Sequence, residues 1–144
     1  MKDFNIEPDS ICFVDTNIWL YSFIQSQDAL SKTEIAQTII KEAEIYISTQ
    51  IINEMSINLK RKVGFSEIEI QDLIKSLYKR HTVVELSEDI LLKASIIRKN
   101  NSFSFWDSLV AASALDCDAD YLISEDMQDG FKLENKLTII NPFK

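Results

Sequence analysis

The chain has 144 residues, the usual size of one domain around one hydrophobic core. Hydrophobic residues make up 46% of it, with only two Gly and two Pro, which excludes a disordered chain or a loop-rich secreted scaffold. A formal net charge of -8 counts against a protein that gathers polyanions with a uniformly basic surface.

A single domain over residues 1–144 is therefore expected. The N-terminus MKDFNIEPDSICFVDTN has no long apolar region with a positive flank, and no apolar run nears the roughly 20 residues that cross a bilayer. No membrane association and a cytoplasmic location are expected. Cys12 and Cys117 stand far apart in apolar surroundings without a CxxC pair or a nearby His, so they read as buried thiols rather than a zinc site.

In chain order, ICFV at residues 11–14 is a continuous apolar run that stops at Asp15, the pattern of a strand buried on both faces. After the polar turn Asp15-Thr16-Asn17, IWLYSFI reads as helix, and Ile35, Ala36, Ile39, Ile40 and Ala43 repeat at helical spacing. EIYIS is the second strand. Ile52, Met55 and Leu59 lay an apolar stripe on the helix after it, with Glu54 one turn in.

Ser66 and Glu69 form a capping-box pattern ahead of Leu73, Ile74 and Leu77; TVVEL is a third strand; and Ser87 caps a helix that Asn100 and Asn101 end. Residues 104–116, with Phe105, Trp106, Leu109, Val110 and Leu115, are apolar nearly all round and predict an interior helix. DYLIS and LTIIN supply a fourth and a fifth strand. Strands alternating with helices predict an α/β fold, a parallel sheet of four or five strands with helices on both faces.

Ligands of such sheets bind beyond the carboxyl ends of the strands. Asp15 follows strand one and Asp126 follows strand four, while Glu54 and Asp107 lie in the first turns of nearby helices. Taken singly, each has a structural reading: Asp15 and Asp126 as caps or turn residues, Asp107 as the acidic member of a capping box after Ser104, Glu54 as a solvated helix residue. Taken together, four carboxylates at one point repel and raise each other's pKa unless a divalent cation joins them. Mg²⁺ prefers oxygen ligands, keeps several waters and takes one or two carboxylates directly. Such a site suits phosphodiester cleavage by an activated water.

At these residues the sequence resembles the PIN-domain nucleases, in particular the VapC-like toxins. FVDTNIWLY is similar to the opening strand and its DTN turn, STQIINEM to the segment with the second acid, FWDSLVAASAL to the third, and YLISEDMQDG to the fourth. The resemblance spans nearly the whole chain and implies an α/β/α sandwich and an endoribonuclease dependent on Mg²⁺ or Mn²⁺. It also implies the role of toxin in a type II toxin-antitoxin pair, with RNA as substrate and a cognate antitoxin as partner. It maps Asp15, Asp107, Glu54 and Asp126 onto the family's metal ligands and catalytic acids, and Asn17 and Ser124 onto supporting polar positions. Asp129 is a further candidate for support.

Two other readings stay open at this point: a PIN-like module that binds RNA or protein without cutting, and a receiver-like phosphotransfer domain, which also carries Asp after strand one. Asp-Thr-Asn in place of an Asp-x-Asp pair counts against the latter. Basic clusters at Lys60-Arg61-Lys62, Lys79-Arg80 and Arg98-Lys99 form either a rim around the acids or complements to helix dipoles. The sole histidine, His81, rules out a two-imidazole ribonuclease and reads as a surface residue. Trp19, Tyr21 and Phe23 fit core packing or a homodimer contact better than base stacking.

Overall fold

The computed structural model describes residues 6–7, 9–24 and 29–144, so part of the N-terminal reading, residues 1–5 and 8, lies outside the described residues. Within them the order is β1 (Ile11–Val14), α1 (Thr16–Phe23), α2 (Leu30–Glu42), β2 (Glu44–Ser48), α3 (Thr49–Asn58), a π-helical turn (Leu59–Val63), α4 (Glu67–Arg80), β3 (Thr82–Val84), α5 (Glu88–Asn100), α6 (Phe105–Asp116), β4 (Tyr121–Ile123), β5 (Lys132–Leu133) and β6 (Leu137–Ile140). The described strands form one sheet in the order β3-β2-β1-β4-β6-β5. All pairs are parallel except β5 with β6. The expected α/β sheet is thus present with one addition: β5, a two-residue antiparallel edge strand.

Chain direction across the sheet reverses between the parallel strands β3 and β4, and again at the edge hairpin from β5 to β6. From β1 the chain steps outward to β2 and β3, then returns past β1 to β4. Right-handed crossovers then place α1 to α4 on one face and α5 and α6 on the other. The packing of α1 on α2 and α3, and of α5 on α6, agrees. This order differs from the 2-1-3-4-5 arrangement of receiver-like domains, so the phosphotransfer reading loses its architectural basis.

The central strands are enclosed by helices: Cys12, Phe13, Val14, Ile47, Leu122, Ile123, Leu137 and Ile139 are all fully buried. Serines set the helix starts. Ser66 Oγ accepts from Glu69 N at 3.1 Å while Glu69 Oε1 accepts from Ser66 N at 3.0 Å, the reciprocal capping box. Ser87 Oγ caps α5 in the same way through Ile90 N at 3.2 Å. Gly64 ends the π-helical turn at φ +79°, a left-handed conformation that costs glycine little.

Three expectations need correction. Although Val110 to Leu115 of α6 are buried, its opening residues Phe105 and Trp106 are exposed, so the helix is interior only beyond its first turn. His81 is half-buried at the end of α4, edge-on to Trp19 with ring centroids 5.4 Å apart. Burial, together with neighbouring Arg80, lowers its pKa. Cys12 is buried and its thiol pKa is pushed up to about 12, chiefly by that burial, whereas Cys117 is only partly covered. Trp19 itself is core, with its Nε1 donating to Val14 O at 3.0 Å, and Phe23 packs edge-on against Phe65.

Candidate active site at the reversal point of the sheet

The β1 and β4 strands are neighbours, and the chain reverses between them, so their carboxyl ends open a crevice where α/β sheets bind ligands. Asp15 leaves β1 there and Ser124 leaves β4. Asp15 N donates to Ile123 O at 2.9 Å, tying the two exits together.

Asp15 is the N-cap of α1, as its structural reading requires, and the central acid of the site as well. Its Oδ1 accepts from Thr16 N at 2.8 Å and its Oδ2 from Ser124 Oγ at 2.9 Å. Only 6% of it is exposed. Burial lifts its pKa to about 6 against the two hydrogen bonds, and the nearby charges of Asp107 and Glu54 push the same way.

Thr16, the first residue of α1, donates from Oγ1 to Glu54 Oε2 at 2.9 Å, which joins α1 to α3 beside Asp15. Asn17 Nδ2 donates to Asp126 Oδ2, bringing the exposed acid after β4 to the same end of α1. Asp107 sits in the first turn of α6, positioned by its backbone N donating to Ser104 Oγ at 3.1 Å. Its pKa is raised by burial and by the charge of Asp126.

Hydrogen bonds tie Glu54 to Thr16 and Asp126 to Asn17, at the start of α1, while the charges of Asp107 and Glu54 act on Asp15 and that of Asp126 acts on Asp107. Among the described residues no three His, Cys, Asp or Glu side chains stand close enough to form one direct coordination shell, and no ion pair engages any of the four. That donor set, all oxygen, one buried carboxylate and no neutralising cation, fits a hydrated Mg²⁺ or Mn²⁺ that takes one or two carboxylates directly and reaches the rest through water. It does not resemble a closed zinc site.

Ser124 Oγ, which donates to Asp15 Oδ2, also receives Met127 N at 3.3 Å, shaping the turn that carries Asp126. Asp129 Oδ1 accepts from Asn141 N at 2.8 Å, holding the chain after β6. Sequence reasoning passed over Thr16, whose signal was a hydroxyl directly after the strand-ending acid.

The PIN-domain family profile matches residues 12–131. No curated protein sequence matches the chain. Among solved structures it is similar to a toxin-antitoxin complex from Klebsiella pneumoniae, at 17% identity and TM-score 0.69, covering 91% of this chain and 97% of that one. It is also similar to VapBC2 from Rickettsia felis bound to a promoter DNA fragment, at 18% identity and TM-score 0.61, covering 91% and 99%. A third is VapC20 from Mycobacterium tuberculosis, a sarcin-ricin loop cleaving toxin, at 16% identity and TM-score 0.60, covering 77% and 86%. At these identities the structures establish the fold, and the profile, which spans all four acids, extends over most of the sequence: the chain belongs to the PIN-domain family.

Proposed function

We propose that the protein is a Mg²⁺- or Mn²⁺-dependent endoribonuclease, the toxin of a type II toxin-antitoxin pair acting in the cytoplasm. The observation that carries the reading is a buried carboxylate, Asp15, at the carboxyl end of β1, with Thr16 beside it holding Glu54 and no ion pair to it among the described residues. Asp15 and Asp107 would hold the ion, with Glu54 and Asp126 reaching it through water. Once bound, the ion supplies charge against that developing on the phosphoryl group and makes water easier to deprotonate.

The chain's own groups do the rest. Ser124 and Thr16 N fix both oxygens of Asp15, so it meets the ion without reorganising. Thr16 Oγ1 holds Glu54 by one oxygen, leaving the other to take the proton of the attacking water. As the new phosphorus-oxygen bond forms, the bond to the ribose oxygen breaks and that oxygen leaves with a proton from solvent.

The antitoxin assignment rests on likeness to solved toxin-antitoxin complexes. Pure protein is expected to cleave RNA with Mg²⁺ and to stop in EDTA. Asp15→Asn should lower cleavage at least about a hundredfold while circular dichroism stays native. Undiminished cleavage by that variant removes the mechanism, and failure of a co-expressed small neighbouring gene product to silence cleavage removes the antitoxin.

A further inference from the structure

Immediately before Asp107, two large aromatic side chains stand in solvent: Phe105 is 73% exposed and Trp106 44%. A solitary exposed hydrophobic side chain needs no explanation, but these two are consecutive, lie within one turn of a candidate catalytic acid, and have a cation built onto them. Arg98, at the end of α5, lays its guanidinium over the Phe105 ring, 3.9 Å from the centroid. Its Nη1 donates to Ser108 Oγ at 2.6 Å, and Ser108 Oγ in turn donates to Phe105 O at 2.7 Å. Arg98 thus braces the opening of α6, and among the described residues no carboxylate pairs with it.

We propose that Phe105, Trp106 and Arg98 form a docking surface for unpaired RNA nucleotides flanking the bond cut at Asp107, an inference that rests on the nuclease reading. Nucleobases stack on aromatic faces irrespective of sequence, and single-stranded segments are the ones whose bases are free to do so. One face of Phe105 carries the guanidinium, and the ring's high exposure leaves the other to a base. The unneutralised charge of Arg98 complements phosphate, in a chain whose net charge of -8 otherwise repels it. A duplex cannot present stacking faces, so the surface selects loops, bulges and ends.

The two tryptophans make the test direct. Trp19 is 2% exposed and Trp106 is open, so quenching by a ligand at this surface reports on Trp106. A random-sequence single-stranded RNA twelve-mer and the corresponding duplex are titrated in EDTA, which separates binding from cleavage. Single strands are expected to quench the emission and duplex to quench it weakly. Trp106→Ala and Phe105→Ala should each weaken single-strand binding about tenfold by anisotropy of a labelled RNA. Trp106→Phe should abolish the quenching yet keep most of the affinity. Both alanine sites are exposed, and matched melting curves confirm the fold.

Equal affinity of the alanine variants and the parent overturns the proposal. So does unaltered RNA binding with lost self-association by light scattering, which assigns the surface to a second copy, or lost capture of a co-expressed antitoxin, which assigns it to that protein. Quenching without any cleavage in Mg²⁺ sinks the nuclease reading and leaves the docking surface standing, whereas cleavage that Asp15→Asn abolishes, beside unaltered binding by the alanine variants, does the reverse.

Discussion

Asp15 combines two roles that sequence reasoning treats as rivals. As a helix cap it accepts Thr16 N on Oδ1, and in the metal-ligand role proposed for it the carboxylate would offer its charge while Ser124 Oγ holds Oδ2 in place. The cost is electrostatic. Folding raises its pKa from 3.8 to about 6, so between those values the native state binds more protons than the unfolded one, and stability falls as pH rises through the window. Below about pH 4 both states are protonated and the penalty vanishes, while above about pH 6 it is complete, on the order of 3 kcal/mol at most. Asparagine keeps the shape and can accept from Thr16 N without the charge. In metal-free urea titrations, Asp15→Asn should therefore be more stable than the parent by about 1–3 kcal/mol at pH 7, the gap closing towards pH 4. Adding Mg²⁺ should stabilise the parent and not the variant. A variant weaker than the parent at both pH values would mean that the buried charge carries no penalty.

Helix caps separate folding from function at the scale of the element. Ser66 and Ser104 both receive the backbone N–H three residues on, and loss of either cap to Ala should lower stability by about 1 kcal/mol. Their consequences for activity differ. Ser66 opens α4, which carries none of the four acids, whereas Ser104 caps the turn that holds Asp107. Ser104→Ala should thus lower the cleavage rate as well, by about tenfold, while Ser66→Ala leaves it unchanged at the same stability loss; equal rates for both would detach the α6 turn from catalysis. These caps were legible in the sequence because a cap is a local pattern of three or four residues. The β5 strand was not, since Lys132-Leu133 has no periodicity and exists only because β6 pairs with it. Nor was the exposure of Phe105 and Trp106: an all-apolar composition shows that a helix has somewhere to be buried, but not which of its turns projects past the layer beneath.

Across the whole molecule, strand-ending acids point to the candidate site from sequence because a parallel sheet delivers its carboxyl ends to one edge. Which acids meet was not legible: Thr16 bridging to Glu54 and Asn17 to Asp126 depend on the strand order, which alternation alone leaves open. Charge is a property of the same scale, and here it opposes the proposed function. The net -8 already counts every basic residue, and Lys32, Lys60 and Lys93 lie beside Glu125, Glu67 and Glu134, so these three add little positive potential of their own. Approaching RNA therefore meets a repulsive far field before it reaches Arg98. Screening shortens that field from about 30 Å at 0.01 M salt to about 10 Å at 0.1 M, while a contact made at Arg98 acts after encounter. The two effects separate kinetically. In stopped-flow experiments that follow Trp106 emission, the association rate constant for single-stranded RNA should rise between about 0.01 and 0.1 M NaCl, the opposite of a basic nuclease. The dissociation rate should rise too, as phosphate contacts weaken in salt. An association rate that falls instead would show that the far field is attractive, and that a basic face of this chain, such as the one at Lys60, Arg61 and Lys62, steers the RNA in.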